Sequence, residues 1–177
     1  ITVDNFPRLG LFTALRFLEW VQENPLGTIS LPTGKTPEYF IRWTSYLLEN
    51  WEDAKVKELR KKYGLNNDRK PVLKDLSFIQ IDEFYPISSD QHNSFYHYVN
   101  KYYIQGFGLD PANALLINSD AIPLHEGMHY NEVFPDGIID LSLRFREAKN
   151  SQELIQQKSV FMIDDWCISY ENAIREK

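Results

Sequence analysis

Two short stretches carry the chemistry open to this sequence. Pro32-Thr33-Gly34-Lys35-Thr36-Pro37 follows the apolar run Thr28-Ile29-Ser30-Leu31 and precedes an amphipathic stretch from Glu38 to Glu49. A strand, a tight turn and a helix start, in that order, expose backbone N–H groups at a helix N-terminus. Unpaired amides and the helix dipole both favour an anion there, most often a phosphate. Gly34 lets the backbone approach a ligand with no Cβ in the way. Thr36 suits an N-cap and Pro37 a first helical residue. The same residues also make an ordinary capped turn between strand and helix. The second stretch, Asp82-Glu83, closes the apolar run Leu76–Ile81. Ligands of open parallel sheets sit outside the carboxyl ends of the strands. Parallel strands therefore put the anion turn and this carboxylate pair on one rim. An anion cradle beside a carboxylate suits proton abstraction from a phosphorylated small molecule. Capping the end of a strand is the plainer role for the pair.

Other motifs weigh less. Gly34-Lys35-Thr36 matches the end of a nucleotide P-loop, but that motif needs a glycine where Ile29 stands. His125-Glu126-Gly127-Met128-His129 has the spacing of a zinc-protease helix. Pro123 before it and Asn131 and Pro135 after it leave about two helical turns at most. Solvated loop histidines are the reading preferred here, and no metal or cofactor is assigned. His92 and His97 flank Asn93-Ser94-Phe95; either could line the rim of the site, and surface exposure is the default reading. Trp43, Trp51, Tyr102 and Tyr103 read as packing aromatics.

These residues need a framework, and 177 residues suffice for one domain with a core. Hydrophobic residues make up 43% of the chain and aromatics 14%, which argues for a packed globule. A net charge of −6 argues against nucleic acid as a partner. No apolar run approaches the ~20 residues that span a bilayer, so no membrane partner is expected. The lone Cys167 excludes an internal disulfide, and the chain reads as cytoplasmic.

Along the chain, Leu11, Leu15 and Leu18 predict a first helix from about Asn5 to Glu23. A strand over Thr28–Leu31 follows, then a helix after Thr36. The charged stretch Trp51 to Tyr63 is helical in period and stops at Gly64. Leu76–Ile81 reads as a buried strand, Asn93 or Ser94 as the cap of a helix through Tyr103, and Ala114–Ile117 as a third strand. That alternation predicts an α/β fold, a mostly parallel Rossmann-like sheet with helices on both faces. Helical patterns at Ile138–Lys149, from Gln152 to Lys158 or beyond, and at Cys167–Lys177 complete the reading.

Several of these motifs, in this order, resemble the glucosamine-6-phosphate deaminase/isomerase family, and more loosely the related 6-phosphogluconolactonases. Ser30-Leu31-Pro32-Thr33-Gly34-Lys35-Thr36-Pro37 is similar to the family's sugar-phosphate loop. Phe78-Ile79-Gln80-Ile81-Asp82-Glu83-Phe84 is similar to its catalytic-aspartate strand, and His92-Asn93-Ser94-Phe95-Tyr96 to the turn and helix after it. Leu115-Leu116-Ile117-Asn118-Ser119-Asp120-Ala121 resembles the next strand and loop, and Tyr170-Glu171-Asn172-Ala173-Ile174 a later helix.

The resemblance implies that Thr33, Gly34, Lys35 and Thr36 hold a sugar phosphate. It makes Asp82 the base that moves a proton between C2 and C1 through an enediol-like state, supported by Glu83. A water-excluded rim would raise the pKa of such a carboxylate. The implied reaction turns an amino-sugar phosphate into a ketose phosphate and ammonia, with no cofactor. Departures accompany it. Lys35 stands where the family has a small residue, Phe84 replaces a tyrosine, and residues 124–166 read as an insertion in a single domain spanning 1–177. The family's following segment, with an aspartate, a ring-opening histidine and a glutamate, is not in this sequence. The expectation is the N-terminal part of such a domain, catalytically weak or inactive alone, with self-association or the remainder of a longer chain as partner. A non-catalytic sugar-phosphate binding or regulatory module is the alternative, and a metal-dependent hydrolase using His125 and His129 a third.

Overall fold

A computed structural model of the chain describes residues 2–177, which form two compact units. The first runs to Glu83 and resumes over Asp90–Ile117; the second comprises Phe84–Ser89 and Asn118–Lys177.

The first unit begins with α1 (Phe6–Glu23), whose N-cap Asn5 accepts a hydrogen bond from the Arg8 amide. Its buried stripe is Gly10, Leu11, Ala14, Leu15, Leu18 and Val21, the spacing of one helix face. Strand β1 (Thr28–Ile29) leads through the Pro32–Pro37 turn to α2 (Glu38–Glu49), which buries Phe40, Ile41, Thr44 and Leu47. The two helices touch closely at Gly10, where a Cβ would lie 2.5 Å from that of Tyr39. Only glycine permits this approach. Around the contact Phe40 meets Phe17 and Phe107 edge-on, with ring centres 5.4 and 5.9 Å away.

Helix α3 (Ala54–Lys62) ends as Gly64 promises. With φ +80°, Gly64 donates to Lys61 O and Leu65 donates to Arg60 O, a Schellman closure. Strand β2 (Ser77–Ile79) then pairs parallel with β1, Thr28 opposite Ser77 and Ile29 opposite Phe78. Helix α4 (Phe95–Val99) opens on Ser94, whose Oγ accepts from the His97 amide. It widens into π-helical turns over Asn100–Gln105 and buries Val99, Tyr103, Ile104 and Phe107. Strand β3 (Ala114–Leu115) completes a parallel sheet in the order β1-β2-β3. The alternation read from the sequence thus yields the expected α/β architecture. The strands are shorter than the apolar runs that announced them, because hydrogen-bonded pairing stops where each chain turns into its loop.

In the second unit a small core of Leu124, Val133, Phe134 and Val160 joins α5 (Tyr130–Val133) to α6 (Ser151–Arg175). Ser119 Oγ donates to Ile87 O at 2.7 Å, and the Ser89 amide donates to Asp120 at 2.9 Å. Two expectations fail here. Residues Ile138–Lys149 form one short 3-10 turn, Leu141–Arg144, not a helix. The Asp140 side chain accepts from the Ser142 amide, and Arg146 folds back between Asp140 and Glu153, so the turn cannot propagate. The patterns at Gln152–Lys158 and Cys167–Lys177 are one continuous helix, α6, because Ser159 to Trp166 holds no glycine or proline to break it.

The zinc-helix spacing also dissolves. Glu126 and Gly127 have φ of 53° and 72°, so the backbone leaves the right-handed helix between the two histidines. His125 stands on a 3-10 turn and His129 before α5, on no common helix face.

Candidate sugar-phosphate site

Because β1 and β2 run parallel, the Pro32–Pro37 turn and the Ile81–Glu83 segment leave the sheet at the same edge. Gly34 has φ +83°, with open space where a Cβ would stand. The turn is held from behind by two tyrosines, one on α4 and one on the π-helical turns after it. Tyr98 donates to Gly34 O at 2.8 Å, and the Tyr103 hydroxyl donates to Pro32 O. The N–H groups of Gly34, Lys35 and Thr36 donate to no described residue, and all three residues are exposed. Carbonyls held by the tyrosines and three amides with no described protein partner leave donors open to an anion. The side-chain cap expected of Thr36 is not formed. Lys35 O takes the Glu38 amide, so α2 starts one residue later with Pro37 in the N-cap place.

The two carboxylates part company. Glu83 accepts from Ser94 Oγ at 2.9 Å and from the Phe95 and Tyr96 amides at 3.0 and 2.7 Å. It is the anionic cap of α4, a favourable place against the helix dipole, and so fixes the helix that holds the loop. Asp82 is exposed on the edge, so the expectation of a water-excluded rim is not met within this chain. Its backbone is set by the buried Gln80, whose Nε2 donates to Asp82 O while its Oε1 accepts from the Ile117 amide. Gln80 went unremarked in the sequence because a polar residue at the end of an apolar run looks like an exit from the core.

A cleft of about 710 Å³ opens on the loop, lined among others by Gly34, Lys35, Arg42, His92, His97 and Lys101. Both histidines line this cleft, the rim position the sequence left open beside plain surface exposure. Arg42 and Lys101 lie on α2 and on the wide turns after α4, and only the packing of those helices brings them there.

Burial pushes the Tyr98 hydroxyl up to about 12, aided by Tyr102 and Glu38, and pushes Tyr103 further in the same direction. Tyr85 and Tyr170 are likewise raised to about 12 by burial. A raised tyrosine pKa gives stability that is complete below the ordinary value of ~10 and is lost as pH climbs through the folded value. Alkaline titration followed by tyrosinate absorbance should therefore show these four ionising after the ordinary group, and Tyr98→Phe should delete one late step. A single transition at the ordinary value would contradict the buried anchors.

Comparison with known proteins bears on the fold. No protein-family model matches the sequence, and no curated protein matches it significantly. Solved structures do match, among them a monomeric glucosamine-6-phosphate deaminase described as the missing link of the NagB superfamily. The superposition has a TM-score of 0.53 at 20% identity and covers 77% of this chain. The fold is an α/β, Rossmann-like one, shared in part with that structure. The chain spans 49% of that deaminase's length. At this identity the likeness speaks for architecture, and it agrees with the family resemblance carried by the ordered motifs. No helix among the described residues is long and apolar enough to cross a membrane.

Proposed function

We propose that this chain is the sugar-phosphate-binding half of a deaminase/isomerase of amino-sugar phosphates. The open nest at Gly34 carries the reading: three amides with no described protein partner beside Lys35, on the edge where Asp82 emerges. The Gly34, Lys35 and Thr36 amides, with the Thr33 and Thr36 hydroxyls, bind the phosphate of glucosamine 6-phosphate. Asp82 accepts the C2 proton of the open-chain sugar and returns it at C1, giving a 2-imino ketose phosphate that water hydrolyses to the ketose phosphate and ammonia. Glu83 serves this site by holding α4 and hence the loop.

Calorimetric titration with glucosamine 6-phosphate tests the reading. The 177-residue polypeptide should bind it without ordinary turnover, since the likeness extends over half of the deaminase. In a longer polypeptide that turns over, Asp82→Asn should lower kcat by roughly 1,000-fold, the middle of the range for loss of a general base, while binding persists. Absence of any binding to the 177-residue chain would refute the proposal.

The exposure of Asp82 and the full engagement of Glu83 by α4 favour one second reading, a binding module that performs no chemistry. That reading requires a longer chain with intact affinity and no deaminase activity even before Asp82 is changed.

A further inference from the structure

Helix α6 is the longest helix among the described residues, yet of its 25 residues only Ser159 and Val160 are buried. At about 3.6 residues per turn, Leu154, Lys158, Phe161, Asp165, Ile168 and Asn172 fall in one straight stripe. All six are exposed, and the stripe stands opposite the face that holds Ser159 and Val160. Leu154, Phe161 and Ile168 are 45%, 45% and 57% exposed, one apolar side chain every second turn. Large apolar side chains in an exposed row read as an interaction face. Between them lie two charges of opposite sign. Neither Lys158 nor Asp165 forms an ion pair with another described residue.

The order along the stripe decides what fits it. Counted from Phe161, Leu154 lies seven residues before and Ile168 seven after, while Lys158 lies three before and Asp165 four after. A second α6 laid antiparallel, with a two-fold axis at Phe161, therefore meets the first with matched groups. Phe161 meets its own copy and Leu154 meets the partner's Ile168. Lys158 meets the partner's Asp165, in register to within one residue's rise of ~1.5 Å. The last two contacts each occur twice by symmetry. A parallel pair would instead set Lys158 on its own copy and Asp165 on its own, so charge selects the antiparallel arrangement. The Leu154 end also has room for the partner's Ile168. A cavity of about 520 Å³ opens there, lined by Leu154, Phe145 and Gln157 among others. Phe145 is 90% exposed, more than any other large apolar side chain among the described residues.

We propose that α6 is a homodimer interface: two copies of this chain pair antiparallel through the stripe from Leu154 to Asn172, about an axis at Phe161. The proposal rests on the second unit alone and is independent of the phosphate reading. The deaminase of similar fold is monomeric, and a likeness of fold does not extend to the side chains of an exposed stripe.

Sedimentation velocity of the 177-residue chain at low salt tests it. Between about 10 and 500 µM the chain should pass from monomer to dimer, the weak range of a small interface. Phe161→Glu puts two carboxylates on the axis and should leave only monomer over that range. Lys158→Glu and Asp165→Lys should each weaken the dimer about tenfold, because the axis doubles every altered pair. Mixed in equal amounts, these two variants restore both opposite-charge pairs, so a heterodimer of about the original affinity should form. All three positions are exposed, and circular dichroism should show each variant folded. An unaltered chain that stays monomeric over the whole range overturns the proposal. So does a dimer that survives Phe161→Glu, or a mixture of the charge variants that pairs no better than either alone.

Discussion

Gly34→Val should cut the affinity of the chain for glucosamine 6-phosphate by about 100-fold or more. Two effects act together. Valine is β-branched and strongly disfavours φ +83°, so the turn must move, at a cost of about 1–3 kcal/mol if the old conformation is kept. A moved turn no longer presents the three amides as one set, and each charge-assisted bond lost removes about 1.5–3 kcal/mol. The residue is exposed and nothing lies within 4 Å of the added Cβ, so the variant should fold. Unchanged affinity in a folded Gly34→Val protein would mean that the phosphate sits elsewhere.

Arg60→Ala should lower the stability of the first unit by about 3 kcal/mol, read from the midpoint of urea unfolding. Arg60 is 1% exposed, the largest charged side chain in the core. Its guanidinium lies over the Trp51 ring at 3.9 Å and donates to Trp51 O and Asn67 O, each at 3.2 Å. Trp51 in turn donates from Nε1 to Asp68 O at 2.9 Å. Together they fasten the polar loop 66–70, which delivers the chain to β2 and so to Asp82. Truncation takes the Arg60 donor from Trp51 O, leaves Asn67 O to Gln22 alone, opens a cavity beside Trp51 and removes the cation from the ring face. A loss below about 0.5 kcal/mol would show that loop 66–70 is held by other means, of which Gln22, donating to Asn67 O, is the first candidate.

Neither residue was equally visible beforehand. Gly34 stands out in the sequence because turn chemistry is local: a glycine between a strand and a proline-led helix has few other purposes. Arg60 is hidden within a stretch of charged residues with helical period, where nothing marks one arginine as the inward one. The same division runs through the fold. Helix α1, the stop at Gly64 and the Ser94 cap follow from side chains that bond their own neighbours, and each was legible. The parallel pairing followed from the alternation of elements, but strand lengths did not, since pairing partners lie far away in sequence. Helix Ser151–Arg175 was read as separate pieces because its apolar residues do not keep one face throughout. In the site, the loop and the Asp82 edge were legible, whereas the assignment of Glu83 as a helix cap and the gathering of Arg42, His97 and Lys101 in one cleft depend on tertiary packing.

The nest at Gly34 is the pivot, and amide NMR during titration with glucosamine 6-phosphate reports on it directly. The largest shifts should fall on the N–H groups of Gly34, Lys35 and Thr36, with a smaller response at Asp82 across the same edge. Saturable binding that leaves those three amides unmoved, with the shifts gathered elsewhere on the chain, would contradict the account.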